Sequence, residues 1–217
     1  MSFYESLLEQ TSAERQYLLG APIIQQAMSG TVSLDSYIAF LTQAYHHVKH
    51  TVPLLMACGA RLPERLEWLR EAIAEYIEEE YGHQEWILND IRASGGDADG
   101  VRAGMPHLST ELMVSYVYDR IARHNPVSLF GMVAVLEGTS IALATQAASV
   151  IQDKLQLPIQ AFSYLSSHGS LDLEHIELLK GLMNRLKNSD DQAAVMHTAK
   201  VVYRLYGDIF RSLPLSA

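Results

Sequence analysis

Apolar residues recur at steps of three and four along most of the chain, which is the spacing of amphipathic α-helices. No convincing run of alternating β-branched residues predicts a strand, and glycine and proline fall between the helical segments. The pattern therefore predicts an all-α fold, a bundle of about seven helices in a single domain spanning residues 1–217.

Breaks in the pattern give the expected helix boundaries. Ser33 is placed as the N-cap of a long helix to about Gly59, and Pro53 is expected to kink that helix. Pro63 begins the next helix, which is predicted to continue to the Ser-Gly-Gly sequence at 94–96, before a glycine-rich loop. The remaining predicted helices cover residues 2–19 with a break near Thr11, 22–28, 109–124, 126–154, 162–188 and 190–213.

Two polar residues interrupt the apolar stripe of the helix predicted after Pro63. Glu80 and His83 lie in register with the apolar residues before them and with Ile87 after them. A buried carboxylate costs several kcal/mol unless it is paired or bound to a cation. Because residues three apart share a helix face, both side chains can bind one ion. Glu78 and Glu79 fall off the stripe and are expected to be solvated.

Two further predicted helices are interrupted in the same way. Glu137 is the only charged residue between positions 127 and 151. His168, Asp172 and His175 occupy three consecutive positions of the apolar stripe on the next helix, within about 60° of arc. Each interruption places a metal-binding type of side chain where the pattern demands an apolar one.

These interruptions together supply three carboxylates and three imidazoles without a thiolate, a donor set that suits iron or manganese. The number exceeds the four ligands usual for structural zinc. The competing interpretation is a buried Glu–His hydrogen-bond network without metal. His46 and His50, four residues apart, and their neighbour His47 are weaker candidates for a place near the site. The six predicted metal ligands are Glu80, His83, Glu137, His168, Asp172 and His175.

Charge and cysteine content exclude several classes of protein. Acidic residues outnumber basic ones by 25 to 16, and the net charge of -9 argues against nucleic-acid binding. The single cysteine, Cys58, excludes intrachain disulfides and cysteine-ligated clusters, and we expect it to be a core residue. The acidic beginning of the chain predicts a cytoplasmic protein. The segment 127–151 is long enough to cross a membrane, but its Ser, Thr and Gln residues favour a helix buried in a bundle.

The order of these motifs resembles the haem-oxygenase-like di-iron oxidases, which share their fold with the TENA/THI-4 and PqqC proteins. Glu137 follows His83 by 54 residues and precedes His168 by 31, as in that family's layout, and the resemblance covers about residues 33–213. It implies a haem-oxygenase-like fold and a homodimer. It also implies that the six residues bind two ferrous ions, with manganese as a possible substitute, and that O2 oxidises a small organic substrate there.

Two relatives of that fold provide alternatives. A TENA/THI-4-type hydrolase or binding protein needs no metal, but the hydrolases use a cysteine in the helix that here carries Glu137, and no cysteine occurs in 127–151. Haem oxygenases need a histidine near the first helix, and none occurs before His46. The sequence therefore favours an O2-dependent non-haem iron oxidase.

Overall fold

A computed structural model describes residues 1–216, with the side chains of 168–174 excepted. This part of the chain is α-helical, with three short 3-10 segments and no strand, so the all-α prediction is confirmed. It contains twelve α-helices, more than the seven or so expected. The helices are α1 (Phe3–Gln10), α2 (Ser12–Leu19), α3 (Pro22–Ser29), α4 (Leu34–Val48), α5 (Thr51–Arg61), α6 (Glu67–Glu80), α7 (His83–Ala93), α8 (Ala98–Ala103), α9 (Leu108–Arg123), α10 (Leu129–Leu155), α11 (Ser163–Arg185) and α12 (Ser189–Arg211).

The extra helices arise where two long predicted helices are divided. The helix expected from Ser33 to Gly59 ends at Val48, and Pro53 lies in the first turn of α5, where its missing N–H removes no helical hydrogen bond. The helix expected to run from Pro63 to the glycine-rich stretch is divided by Gly82, whose φ of +95° ends α6. That stretch contains the short helix α8 rather than only a loop.

Several predicted boundaries are confirmed. Ser33 is the N-cap of α4, and its Oγ accepts a hydrogen bond from the Ser36 amide at 3.1 Å. The first helical segment is broken at Thr11, whose hydroxyl donates to the Leu7 carbonyl at 2.7 Å.

Helix α10 lies in the core and packs against α3, α11 and α12. A Cβ on Gly131 would lie 2.5 Å from the Val195 carbonyl oxygen and 2.7 Å from the Ala199 amide, so only glycine permits the close approach of α12. By length and composition the segment Pro126–Leu155 is apolar enough to cross a membrane, and half of its most apolar window is buried inside the fold. That burial is the one expected of a bundle's central helix.

The side chain of Asp90 joins α7 to the beginning of α11. Its carboxylate accepts hydrogen bonds from the amides of Ser163 at 3.1 Å and Tyr164 at 2.8 Å, and from the Ser163 hydroxyl. Burial raises the pKa of Asp90, and these three hydrogen bonds oppose that rise. The contact fixes how the two helices that carry His83 and His175 lie relative to each other.

Candidate metal centre

The turn between α6 and α7 brings Glu80 and His83 together. Glu80 is the last residue of α6 and His83 the first of α7, with Gly82 between them. The Nδ1 atom of His83 lies 3.0 Å from Oε2 of Glu80, and both side chains are largely buried. The two side chains are therefore neighbours, as predicted, but a left-handed glycine turn between two helices brings them together instead of one helix face. The His83 ring also stacks on Trp86, with ring centroids 4.0 Å apart.

A second group of side chains lies around His175 on α11. Its Nε2 atom is 2.8 Å from Oε2 of Glu79, and its Nδ1 atom is 3.8 Å from Oε1 of Glu137 on α10. His175 is 4% exposed and Glu137 is 8% exposed, which confirms that both interrupt a buried surface. Glu79, which we expected to be only solvated, has a half-exposed side chain that contacts the imidazole.

The hydroxyl of Tyr76 on α6 lies close to two members of this group, the Glu137 side chain and the His175 backbone. Burial raises the pKa of Tyr76, and the negative charge of the nearby Glu137 carboxylate raises it further, so the phenol keeps its proton. The Tyr76 hydroxyl also lies 3.5 Å from the carbonyl oxygen of His175.

A cavity of about 90 Å³ lies beside these groups. Glu80 and Glu137 are its charged lining residues among the described part of the chain. Most of the rest of its wall is aliphatic or aromatic, so the two carboxylates are set in an apolar surrounding. The other lining residues are His47, Val48, Thr51, Leu54, Leu55, Tyr76, Leu129, Met132, Val133, Leu136, Ser140, Tyr164 and Tyr206.

The structure describes four of the six predicted ligands: Glu80, His83, Glu137 and His175. The side chains of His168 and Asp172 lie outside the described residues, so their predicted role stays a prediction. Within the described side chains, no three His, Cys, Asp or Glu residues converge as a metal site. The four instead contribute to carboxylate–imidazole contacts beside one cavity. Carboxylate oxygens and imidazole nitrogens are nevertheless the donors that ferrous iron accepts, so the residue types fit such an ion.

The three histidines that were weaker candidates, His46, His47 and His50, lie in different surroundings. His47 lines the cavity, and its ring packs edge-on against Tyr206. His50 instead contacts the Tyr118 hydroxyl of α9, with Nδ1 at 3.2 Å. His46 is buried, and desolvation together with the nearby Lys49 lowers its pKa to about 4.

Cys58 is a buried core residue, as expected. Its Sγ lies 3.2 Å from the Pro126 carbonyl oxygen, and burial raises the pKa of the thiol to about 12. A thiol in this state is a poor nucleophile, so it offers no cysteine-based hydrolysis.

The family comparison decides the class of the protein. The family described as iron-containing redox enzyme matches residues 38–207, which include all six predicted ligands. The chain belongs to this family of iron-containing redox enzymes. A search of curated proteins found no match.

Solved structures share the fold of this family member at low sequence identity. A domain of unknown function with a haem oxygenase-like fold from Shewanella denitrificans superposes with a TM-score of 0.84 at 22% identity, over 97% of this chain and 90% of that one. A TenA homologue from P. horikoshii gives 0.80 at 10% identity, over 97% of each chain. Haem oxygenase-1 from the cyanobacterium Synechocystis, solved with haem, gives 0.76 at 12% identity, over 97% and 91%. The haem oxygenase-like fold is therefore confirmed.

Proposed function

We propose that this family member is a non-haem iron enzyme that binds two ferrous ions and uses O2 to oxidise a small organic substrate. The observation that carries the proposal is the cavity shared by Glu80 and Glu137. These carboxylates come from different helices and lie in a mainly apolar wall, with His83 and His175 beside them. Buried carboxylates are costly unless they are paired or bound to a cation, and a cation in the cavity would compensate both of these charges at once.

The residues that would hold the ions are Glu80, His83, Glu137, His168, Asp172 and His175. Bound ferrous iron supplies the electron-transfer chemistry by which O2 oxidises a substrate. The buried Tyr76 phenol lies near Glu137 and keeps its proton, so it remains a neutral neighbour of that carboxylate. The mainly apolar wall of the cavity lowers the number of polar partners that water would find beside the reacting groups.

Iron binding would require two existing side-chain contacts to be broken. The contacts of His83 with Glu80 and of His175 with Glu79 must be exchanged for metal–ligand bonds. Imidazole nitrogens must be unprotonated to bind a metal, so iron affinity is expected to fall at acidic pH.

The non-haem part of the proposal rests on the histidine positions. Residues 1–45 contain no histidine, so the first helices offer no imidazole for a haem iron. Of the next histidines along the chain, His50 contacts Tyr118 on α9, and Nδ1 of His46 lies 3.3 Å from the Lys49 ammonium.

An anaerobic titration of the metal-free protein with ferrous iron tests the proposal. We expect about two equivalents for the wild type and a large loss of affinity for Glu80→Gln. The matched control is Glu78→Gln, an exposed glutamate on the same helix, which we expect to bind iron like the wild type. Absence of iron binding by the folded wild-type protein would contradict the proposal.

The second candidate is a metal-free binding protein of the TENA/THI-4 type. The Glu80–His83 and Glu79–His175 contacts favour it, because they already give these side chains hydrogen-bonding partners. A wild type that binds no iron in the same titration would support this candidate.

We also propose that the protein acts as a homodimer on a small molecule, as the resemblance implies, without a nucleic-acid partner. The net charge of -9 supports the last point. Light scattering coupled to size-exclusion chromatography tests the dimer directly, and a mass near 24.2 kDa would contradict it.

A further inference from the structure

A second cavity, also of about 90 Å³, lies next to the one that contains Glu137. Its lining residues come from α3, α4, α10, α11, α12 and the segments that connect them. The described lining residues carry no charged side chain, and most are aliphatic or aromatic. They are Ile23, Ile24, Ala27, Met28, Val32, Ser36, Tyr37, Phe40, Thr139, Ser140, Leu143, Ala144, Ala147, Ile151, Tyr164, Leu165, Tyr206, Phe210 and Leu213.

The two cavities adjoin each other. Ser140, Tyr164 and Tyr206 line both of them, so no further layer of residues separates the spaces. One face of α10 forms a wall of each: Glu137 and the residues before it border the first cavity, and the face from Ser140 to Ile151 borders the second. At 1.5 Å per residue, that second stretch is about 16 Å long.

The polar groups of the second cavity are mostly used within the protein. The Tyr37 hydroxyl donates to the Ala161 carbonyl at 2.7 Å, and the Thr139 hydroxyl donates to the Val135 carbonyl at 2.6 Å. The Ser36 hydroxyl donates to the Pro214 carbonyl at 2.8 Å. A ligand in this cavity therefore gains contact with apolar surface and little else.

The junction has one polar atom that differs from these. The hydroxyl oxygen of Ser140 is buried and has no hydrogen-bond partner among the described residues. A buried hydroxyl without a partner costs free energy, so a polar group or a water molecule is favoured at this point. A ligand that passes the junction is thus expected to be polar on the Glu137 side and apolar beyond it.

The geometry points to a substrate with an unbranched apolar tail. The reacting end lies beside Glu137, and the tail passes Ser140 and extends along α10 towards Ile151. Neither cavity alone reaches the about 150 Å³ that holds a benzene-sized molecule, whereas the two together exceed it. This inference rests on the proposed function for the identity of the reacting end, but the tail site does not depend on iron.

Binding of a homologous series of straight-chain primary alcohols to the full chain tests the tail site without any variant. Affinity is measured by displacement of an environment-sensitive dye, with and without anaerobic ferrous iron. Because each buried methylene contributes about 0.8 kcal/mol, the dissociation constant should fall about three- to fourfold per carbon until the cavity is filled. The same dependence of affinity on chain length should be observed with and without ferrous iron. An affinity that does not depend on chain length would overturn the inference and leave the iron proposal intact.

A matched pair of variants locates the site. Ala144→Phe fills the second cavity and should weaken binding of the longest alcohol at least about tenfold, because several of its methylenes can no longer be buried. Ala142→Phe makes the same change on the exposed face of the same helix and should bind like the wild type. Ala147→Leu is a smaller change in the same wall and repeats the test if Ala144→Phe does not fold. Equal affinities for the folded cavity variant and Ala142→Phe would overturn the inference.

Discussion

Two buried carboxylates, Asp191 and Glu137, have opposite surroundings. Asp191 is fully buried at the beginning of α12, where the Arg65 guanidinium donates to both of its oxygens at 2.5 and 3.0 Å. Asn125 adds a third hydrogen bond at 2.8 Å. Burial disfavours the ionised form of Asp191, but these hydrogen bonds outweigh it and lower the pKa. This carboxylate has a positive partner and joins the beginning of α12 to the segments before α6 and after α9.

Glu137 has an imidazole and a phenol beside it and borders a cavity. An imidazole can be exchanged for a metal ion, whereas the bidentate arginine contact of Asp191 leaves no room for one. Burial alone therefore does not mark a functional carboxylate. A functional carboxylate is instead indicated by an imidazole or phenol partner and by a cavity next to its oxygen atoms.

The largest effect is expected when Glu137 is changed to glutamine. This substitution keeps the shape of the side chain but removes the charge that a cation requires. We expect iron-dependent O2 consumption to fall by at least about 100-fold, with the helical content retained. An oxygen electrode and circular dichroism measure the two properties on the same sample. Full turnover by the folded variant would show that Glu137 is not a ligand.

The opposite result is expected for Asp191→Ala. Loss of three hydrogen bonds to an ionised group should lower the free energy of unfolding by about 3 kcal/mol and Tm by about 10 °C. Asp190→Ala is the control, because the neighbouring carboxylate is exposed and its removal should change stability by less than about 1 kcal/mol. Chemical denaturation compares the two. Equal stabilities would mean that the Arg65 contact contributes nothing.

The histidines extend the comparison to pH. The pKa of His46 is lowered from 6.5 to about 4, with burial as the first cause and Lys49 as the second. Below pH 6.5 the unfolded chain gains a proton that folded His46 refuses until about pH 4, so stability is lost as the pH falls through this window. At one pKa unit per 1.4 kcal/mol, the loss is at most about 3 kcal/mol. The His46→Gln variant should lose that part of the pH dependence in denaturant titrations, and an unchanged slope would contradict it.

Within α10 the comparison can be made along a single helix. Gly131 lies against the α12 backbone, so Gly131→Ala forces the two helices apart and should cost about 2 kcal/mol. Glu137 lies less than two turns further along the same helix, and its substitution should leave stability nearly unchanged. Thermal unfolding of both variants checks this. A Gly131→Ala protein as stable as the wild type would show that the helix contact is looser than described.

Much of this organisation can be predicted from the sequence. The helices α9 and α12 follow from long periodic segments, and Ser33 is recognisable as an N-cap. Glu137 stands out because its helix is otherwise uncharged between 127 and 151. These features depend on local spacing, which a sequence contains.

Other features depend on the sign of a backbone φ angle or on which distant segments meet. The spacing of residues along the sequence contains neither. The separation of Glu80 from His83 fits one helix or two, and only the positive φ of Gly82 distinguishes them. Glu79 meets His175 because α11 passes the end of α6, a contact between distant segments. Asp90 could have been noticed, since it lies three residues after Ile87 on the stripe that includes His83.

The most direct test of a metal centre at Glu137 is the thermal midpoint with and without anaerobic ferrous iron, for the wild type, Glu137→Gln and Asp191→Asn. Ligand at about 100 times its dissociation constant stabilises the folded state by about 2.7 kcal/mol. We expect iron to raise the midpoint of the wild type and of the less stable Asp191→Asn protein by about 5–10 °C. We expect no rise for Glu137→Gln. A rise of the same size in Glu137→Gln, or none in the wild type, would contradict the assignment of this carboxylate to a metal centre.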